Sequence, residues 1–155
     1  MSHLSFRVEY ELGEAGWATC RVSFGKRAVE MTASYLHDSL HQLCDVVASV
    51  ALGARTGTVV FMDEPGEYHL KLERLGHTDV AVQVVRHDDW PSWGIGSESK
   101  GRILLEGMTS VAHLRGQTYS TVRRIIDSLG PEEYRRRWIE HDFPEAAYDR
   151  LKNAG

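Results

Sequence analysis

No apolar run in these 155 residues approaches the roughly 20 needed to cross a bilayer as a helix, so no membrane role is expected. Cysteine is scarce: Cys20 and Cys44 are too few for a disulfide scaffold. The opening Met1-Ser-His-Leu-Ser-Phe-Arg7 lacks the basic-then-apolar layout of a secretory signal. Both thiols are therefore expected to be reduced and the protein cytoplasmic. The chain contains no P-loop, no G-x-S-x-G elbow, no H-E-x-x-H and no paired CxxC. Positive charge is not in excess either. The net charge is −4, and residues 1–100 carry nine Lys or Arg against fourteen Asp or Glu, whereas residues 101–155 carry nine against eight. A chain acidic in its first two-thirds has no whole-domain electrostatic reason to bind nucleic acid. It suits a basic protein partner. Repeats, low-complexity tracts and linkers are absent, so residues 1–155 read as one domain.

What is present is mostly alternation. Leu4, Phe6, Val8, Tyr10 and Leu12 alternate with polar residues, as do Ala18, Cys20, Val22 and Phe24, and then Val29 and Met31. That is the period-2 pattern of half-buried strands in an antiparallel meander. The stretch 34–53 changes period. Leu36, Leu40, Leu43, Val47 and Val50 fall on one stripe of a helix that Gly53 ends. Burying five such side chains contributes on the order of 1.5–3 kcal/mol each. Strands resume at Thr58–Met62, at Tyr68–Leu72 after the turn Asp63-Glu-Pro-Gly66, and at Val80–Val84, with a short seventh at Ile103–Leu105.

A helix from Thr109 or Ser110 to Leu129 follows, with Gly130 as its cap. Pro131 starts another helix and Phe143–Leu151 is a last short one. The fold class expected is α+β: a largely antiparallel sheet of six to seven strands, the 34–53 helix packed on it, and a C-terminal helical segment.

Three pieces of sequence carry a resemblance. Ser34-Tyr-Leu with Ser39-Leu, Asp63-Glu-Pro-Gly-Glu-Tyr68, and Gly130, Tyr134, Trp138 and Phe143-Pro together resemble a group of small bacterial proteins of uncharacterised function. Those proteins share a Ser-Tyr-Leu helix and a strand entered through an EPGEY-like turn. In size and in its acidic sheet half the chain is also similar to immunity proteins of bacterial toxin systems. The resemblance implies a fold and a protein partner, with no catalytic residues to carry over.

Two constellations could carry chemistry. His37, His41 and Cys44 stand at i, i+4 and i+7 on one helical face, a spacing that can chelate zinc. The competing account packs Cys44 at the edge of the apolar stripe and leaves the histidines to local partners. The second is His87-Asp-Asp-Trp-Pro-Ser-Trp93, in an unpatterned stretch of about fifteen residues. Trp90 and Trp93 would anchor a partner and Asp88 and Asp89 would attract a basic one; alternatively the indoles fold back over the sheet. Asp63, Glu64 and Glu67 read as a solvated turn, with Asp63 and Glu64 available to the same partner. Gly94-Ile-Gly-Ser-Glu-Ser99 lacks the third glycine of a dinucleotide loop.

The expectation is a non-enzymatic protein-binding module, of the immunity type, that occludes a toxin's active site through Asp63, Glu64, Asp88, Asp89, Trp90 and Trp93. The alternatives are a zinc site at His37, His41 and Cys44, and a structural homo-oligomer such as a homodimer. No other cofactor is implied.

Overall fold

The computed structural model of the chain describes residues 5–94 and 101–155. Seven antiparallel strands fall into two sheets. The first is the meander β1 (Phe6–Leu12), β2 (Trp17–Phe24) and β3 (Arg27–Ser34). The second runs in the order β4 (Thr56–Met62), β5 (Glu67–Leu75), β6 (Asp79–His87) and β7 (Arg102–Ser110). Helix α1 (Ser39–Ala51) joins the sheets, and α2 (Val111–Arg137) and α3 (Glu145–Asn153) follow them. No helix is long and apolar enough to cross a membrane among the described residues.

The alternation sets which faces are buried. Phe6, Val8, Tyr10 and Leu12 turn inward from β1, and Ala18, Cys20, Val22 and Phe24 from β2. Between the sheets, the rings of Tyr10 and Phe61 stand 6.5 Å apart. Phe24 lies flush on Gly107 of β7, where a β-carbon would come within 2.8 Å of the ring. Leu40, Leu43, Val47 and Val50 of α1 enter the same apolar cluster, together with residues of α2, α3 and both sheets. Burial pushes the thiol pKa of both cysteines up, that of Cys44 to about 12.

Sequence and structure differ at four places. The helix begins at Ser39, not Ser34. Ser34 still pairs with Trp17 across β2 and β3, Leu36 is exposed, and Asp38 takes the cap by accepting the His41 N–H at 3.3 Å. The strands form two sheets rather than one, because β4 pairs with β5 and not with β3; periodicity marks a strand's faces and is silent about its neighbour. The seventh strand is nine residues long, extending through Gly107 and Met108 to Ser110. The last helix runs Glu145–Asn153. The break at Gly130 is where the sequence puts it, with φ 74° and Pro131 resuming the helix.

Helix α2 seals the outer edge of β1. The Tyr10 N–H donates to Thr121 Oγ1 at 2.8 Å and the Thr121 hydroxyl donates to the Tyr10 carbonyl at 3.4 Å. His113 Nε2 donates to the Phe6 carbonyl at 2.9 Å, and the Arg137 guanidinium to that of Leu12 at 3.4 Å. An end strand that would otherwise offer a row of free backbone groups is thereby occupied. β7 is the end strand of its own sheet, and Ile103, Leu104 and Met108 on it are exposed.

Candidate functional site

The β5–β6 hairpin has a register that places Glu67 opposite His87 and Tyr68 opposite Arg86. The turn before β5 and the loop after β6 therefore meet at one end of the second sheet. The Trp90 indole N–H donates to two carbonyls of that turn, Asp63 at 2.9 Å and Gly66 at 2.8 Å. Arg86 lies 4.7 Å over the Tyr68 ring and donates to Asp63 Oδ2 at 3.1 Å and to the Pro65 carbonyl at 3.0 Å. Gly66 has φ 92° and a β-carbon there would stand 2.5 Å from the Arg86 guanidinium, so the turn admits only glycine at that position. The Glu64–Pro65 peptide bond is cis.

Beyond Trp90 the chain makes one short 3-10 turn, Pro91–Trp93. The two indoles lie 5.3 Å apart, tilted by 58°. Trp90 is half-buried, and Trp93 keeps 46% of its surface exposed. Trp90 folds back onto the turn and Trp93 stays outside. Asp88 is 84% exposed, with its carboxylate 3.9 Å from Arg86. Asp89 and Glu64 are exposed and Asp63 is half-buried. Four of the six residues expected to meet a partner are exposed on this rim, Asp63 is half-buried against Arg86, and Trp90 serves as its pin. Residues 95–100, which hold most of the Gly94–Ser99 stretch and the end of the unpatterned loop, lie outside the described residues, as does Leu4.

Glu67 is the correction. Expected in a solvated turn, it is 0% exposed. One carboxylate oxygen accepts from the Ser92 hydroxyl at 2.8 Å and from the Ser92 N–H at 3.3 Å, and the other meets His69 Nε2. The His87 ring meets that of His69 with centroids 4.5 Å apart and planes tilted by 47°. Glu67, His69, His87 and Ser92 form a polar cluster beneath the tryptophan loop. The register follows from the three-residue loop Gly76-His-Thr78 closed by the Leu75–Asp79 pair; the turn Leu75-Gly-His-Thr78 read from the sequence would pair 67 with 86 and so hides the cluster.

The helical trio disperses. His37 Nε2 donates to Gln42 Oε1 at 2.7 Å, and the same oxygen accepts the Val60 N–H, tying α1 to β4. His41 turns to Asp45 at 3.1 Å, and Cys44 is fully buried in the core. Among the described residues no group of three or more His, Cys, Asp or Glu side chains is placed to hold a metal ion. The helical spacing is broken at both ends of the trio: His37 lies before the helix start at Ser39, and Cys44 faces the core.

The outer face of the second sheet carries a shallow groove of about 670 Å³ between the row Thr58, Lys71, Gln83, Glu106 and the row containing Glu73 and Met108. It mixes both signs of charge, with Lys71 against Glu73 and Glu106.

No family model matches the chain, and no curated protein is similar to it in sequence. A solved structure of a CdiA-CT/CdiI toxin and immunity complex from Enterobacter cloacae aligns with 76% of this chain and 99% of its own matched chain, at 12% identity and a TM-score of 0.49. A likeness at that level carries no argument about role.

Proposed function

We propose that this protein is a non-enzymatic binding module that acts in the cytoplasm. Its docking surface is the rim built from the 63–67 turn and the 88–93 loop, and its partner is a basic toxin domain whose active-site cleft the rim occludes. The observation that supports this reading is Trp93: a large aromatic side chain left 46% exposed on a loop that Trp90 and Ser92 fasten to the sheet, with Glu64, Asp88 and Asp89 exposed on the same turn and loop. An aromatic anchor on a fastened loop can concentrate binding energy, and nearby exposed carboxylates steer an oppositely charged partner to it.

The test is capture from host lysate with the full chain as bait, beside Trp93→Ala and Asp88→Lys baits, at low and high salt. The expected result is one stoichiometric basic protein, lost with either variant and weakened by salt. An acidic partner, or capture indifferent to both substitutions and to salt, would overturn the reading.

The exposed Ile103, Leu104 and Met108 on the end strand β7 favour a second reading, a homodimer formed by pairing β7 with its copy. Light scattering across a concentration series should then show the mass doubling, and a Leu104→Lys variant should stay monomeric.

A further inference from the structure

The polar cluster under the loop is a strange thing to bury. Glu67 has no exposed surface and His87 only 8%. Neither ring nitrogen of His87 has a hydrogen-bond partner among the described residues. One face of its ring meets His69, and the backbone at Gly101 closes on its edge so tightly that a β-carbon there would lie 2.7 Å from His87 Cε1. Directly across the ladder from His87, Glu67 holds Ser92 of the tryptophan loop on one oxygen and His69 on the other. The charges facing His87 are Glu67, His69 and Lys71 from β5 and Asp88 from the chain just beyond β6, while Arg86 beside it is committed to Asp63. Arg102 of β7 stands opposite Arg86.

We propose that His87, its ring against that of His69 and directly across the ladder from Glu67, is a pH-operated latch whose protonation releases the Trp90–Trp93 loop. The Glu67 oxygen that does not hold Ser92 is already taken by the His69 ring. A proton added to His87 makes both of its buried nitrogens donors, with no acceptor for either among the described residues and a second imidazole in ring contact. Gly101 closes one edge of the ring, so relief comes from the loop side. Ser92 and the loop lift, and water reaches the imidazolium.

Burial first, and the neighbouring His69 second, hold the His87 pKa below its ordinary 6.5 in the closed state. The open state therefore binds more protons. Closure is complete above about pH 6.5 and weakens as pH falls below it toward the lowered closed-state value. The docking rim proposed above would be dismantled by acid. That consequence rests on the binding reading; the latch does not, and it is tested with the protein alone.

The experiment follows the tryptophan indole N–H signals of the full-length, ¹⁵N-labelled chain by NMR from about pH 7.5 to about pH 5. The expected result is that the Trp90 and Trp93 signals move together with a midpoint below 6.5 while that of Trp17, on the first sheet, stays fixed. In His87→Leu the movement should vanish. Should that variant fail to fold, His69→Gln removes the neighbouring imidazole that helps hold the His87 pKa down, and should raise the midpoint. Flat Trp90 and Trp93 signals, a response that survives His87→Leu, or a midpoint indifferent to His69→Gln would each overturn the latch. So would a shift of the Trp90 signal on adding one equivalent of zinc at neutral pH, which would make the cluster a metal site.

Discussion

The two sheets end differently. At β1 the last backbone groups of the first sheet are met one by one by His113, Thr121 and Arg137 of α2. The outer face of that sheet alternates charge, with Glu9, Arg21 and Glu30 in one cross-strand row, a pattern that favours solvation and register. The second sheet leaves Thr56, Thr58, Lys71, Glu73, Glu106 and Met108 of its outer face exposed, and at its end it encloses a glutamate and two histidines under a short loop. Both sheets carry an exposed indole, Trp17 at 38% on β2 and Trp93 at 46% just beyond β6. What sets the second apart is a buried glutamate and a buried histidine, which packing alone does not favour.

The contrast can be broken at several points. The largest effect is expected on the sealed side. Trp138, wholly buried and donating its indole N–H to Asp38 at 3.0 Å, should cost about 3–5 kcal/mol of stability as Trp138→Ala in urea unfolding. Trp93→Ala, the same substitution on the open side, should change stability by no more than about 0.5 kcal/mol. On that side Glu67→Ala removes the one carboxylate that both Ser92 and His69 use. About 3 kcal/mol should be lost, with Trp93 fluorescence more accessible to iodide well before global unfolding. Thr121→Val keeps the shape of the β1 seal and deletes its two hydrogen bonds, for a loss of about 1–2 kcal/mol. If Thr121→Val costs nothing, the edge is not sealed by those bonds.

The smallest effect is electrostatic. Hydrogen bonds from Arg136 and then Arg137 lower the Glu133 pKa to about 2. A carboxylate whose folded value lies below its unfolded one stabilises above about pH 4.5 and loses that contribution as pH falls toward 2. Glu133 is solvent-screened, so the pH 3 to 5 limb of a thermal melting series should flatten only slightly in Glu133→Gln.

Much of this contrast could be read in the sequence, and the parts that could not share a cause. The inward faces of β1 and β2, the stripe of α1, the Gly130 break and the Trp90–Trp93 loop all follow from local period and local chemistry. Which strand pairs with which does not, and the split into two sheets went unseen for that reason. Glu67 was misjudged because a glutamate two residues after a proline reads as solvent-facing; its burial depends on Ser92, twenty-five residues later, folding back over it. His37, His41 and Cys44 failed in the opposite direction. The i, i+4, i+7 spacing presumes a helix from Ser34, whereas the helix starts at Ser39 and leaves His37 outside it, and Cys44 belongs to the core side.

The central claim is that the end of the second sheet, and not the sealed first sheet, is the working surface. The most direct test is calorimetric titration of the captured partner into the wild-type chain, Trp93→Ala, and Arg21→Ala on the outer face of the first sheet. The account predicts that Trp93→Ala weakens affinity by about 30-fold, some 2 kcal/mol, while Arg21→Ala leaves it unchanged. Wild-type affinity in Trp93→Ala together with a loss in Arg21→Ala would place the working surface on the first sheet and contradict it.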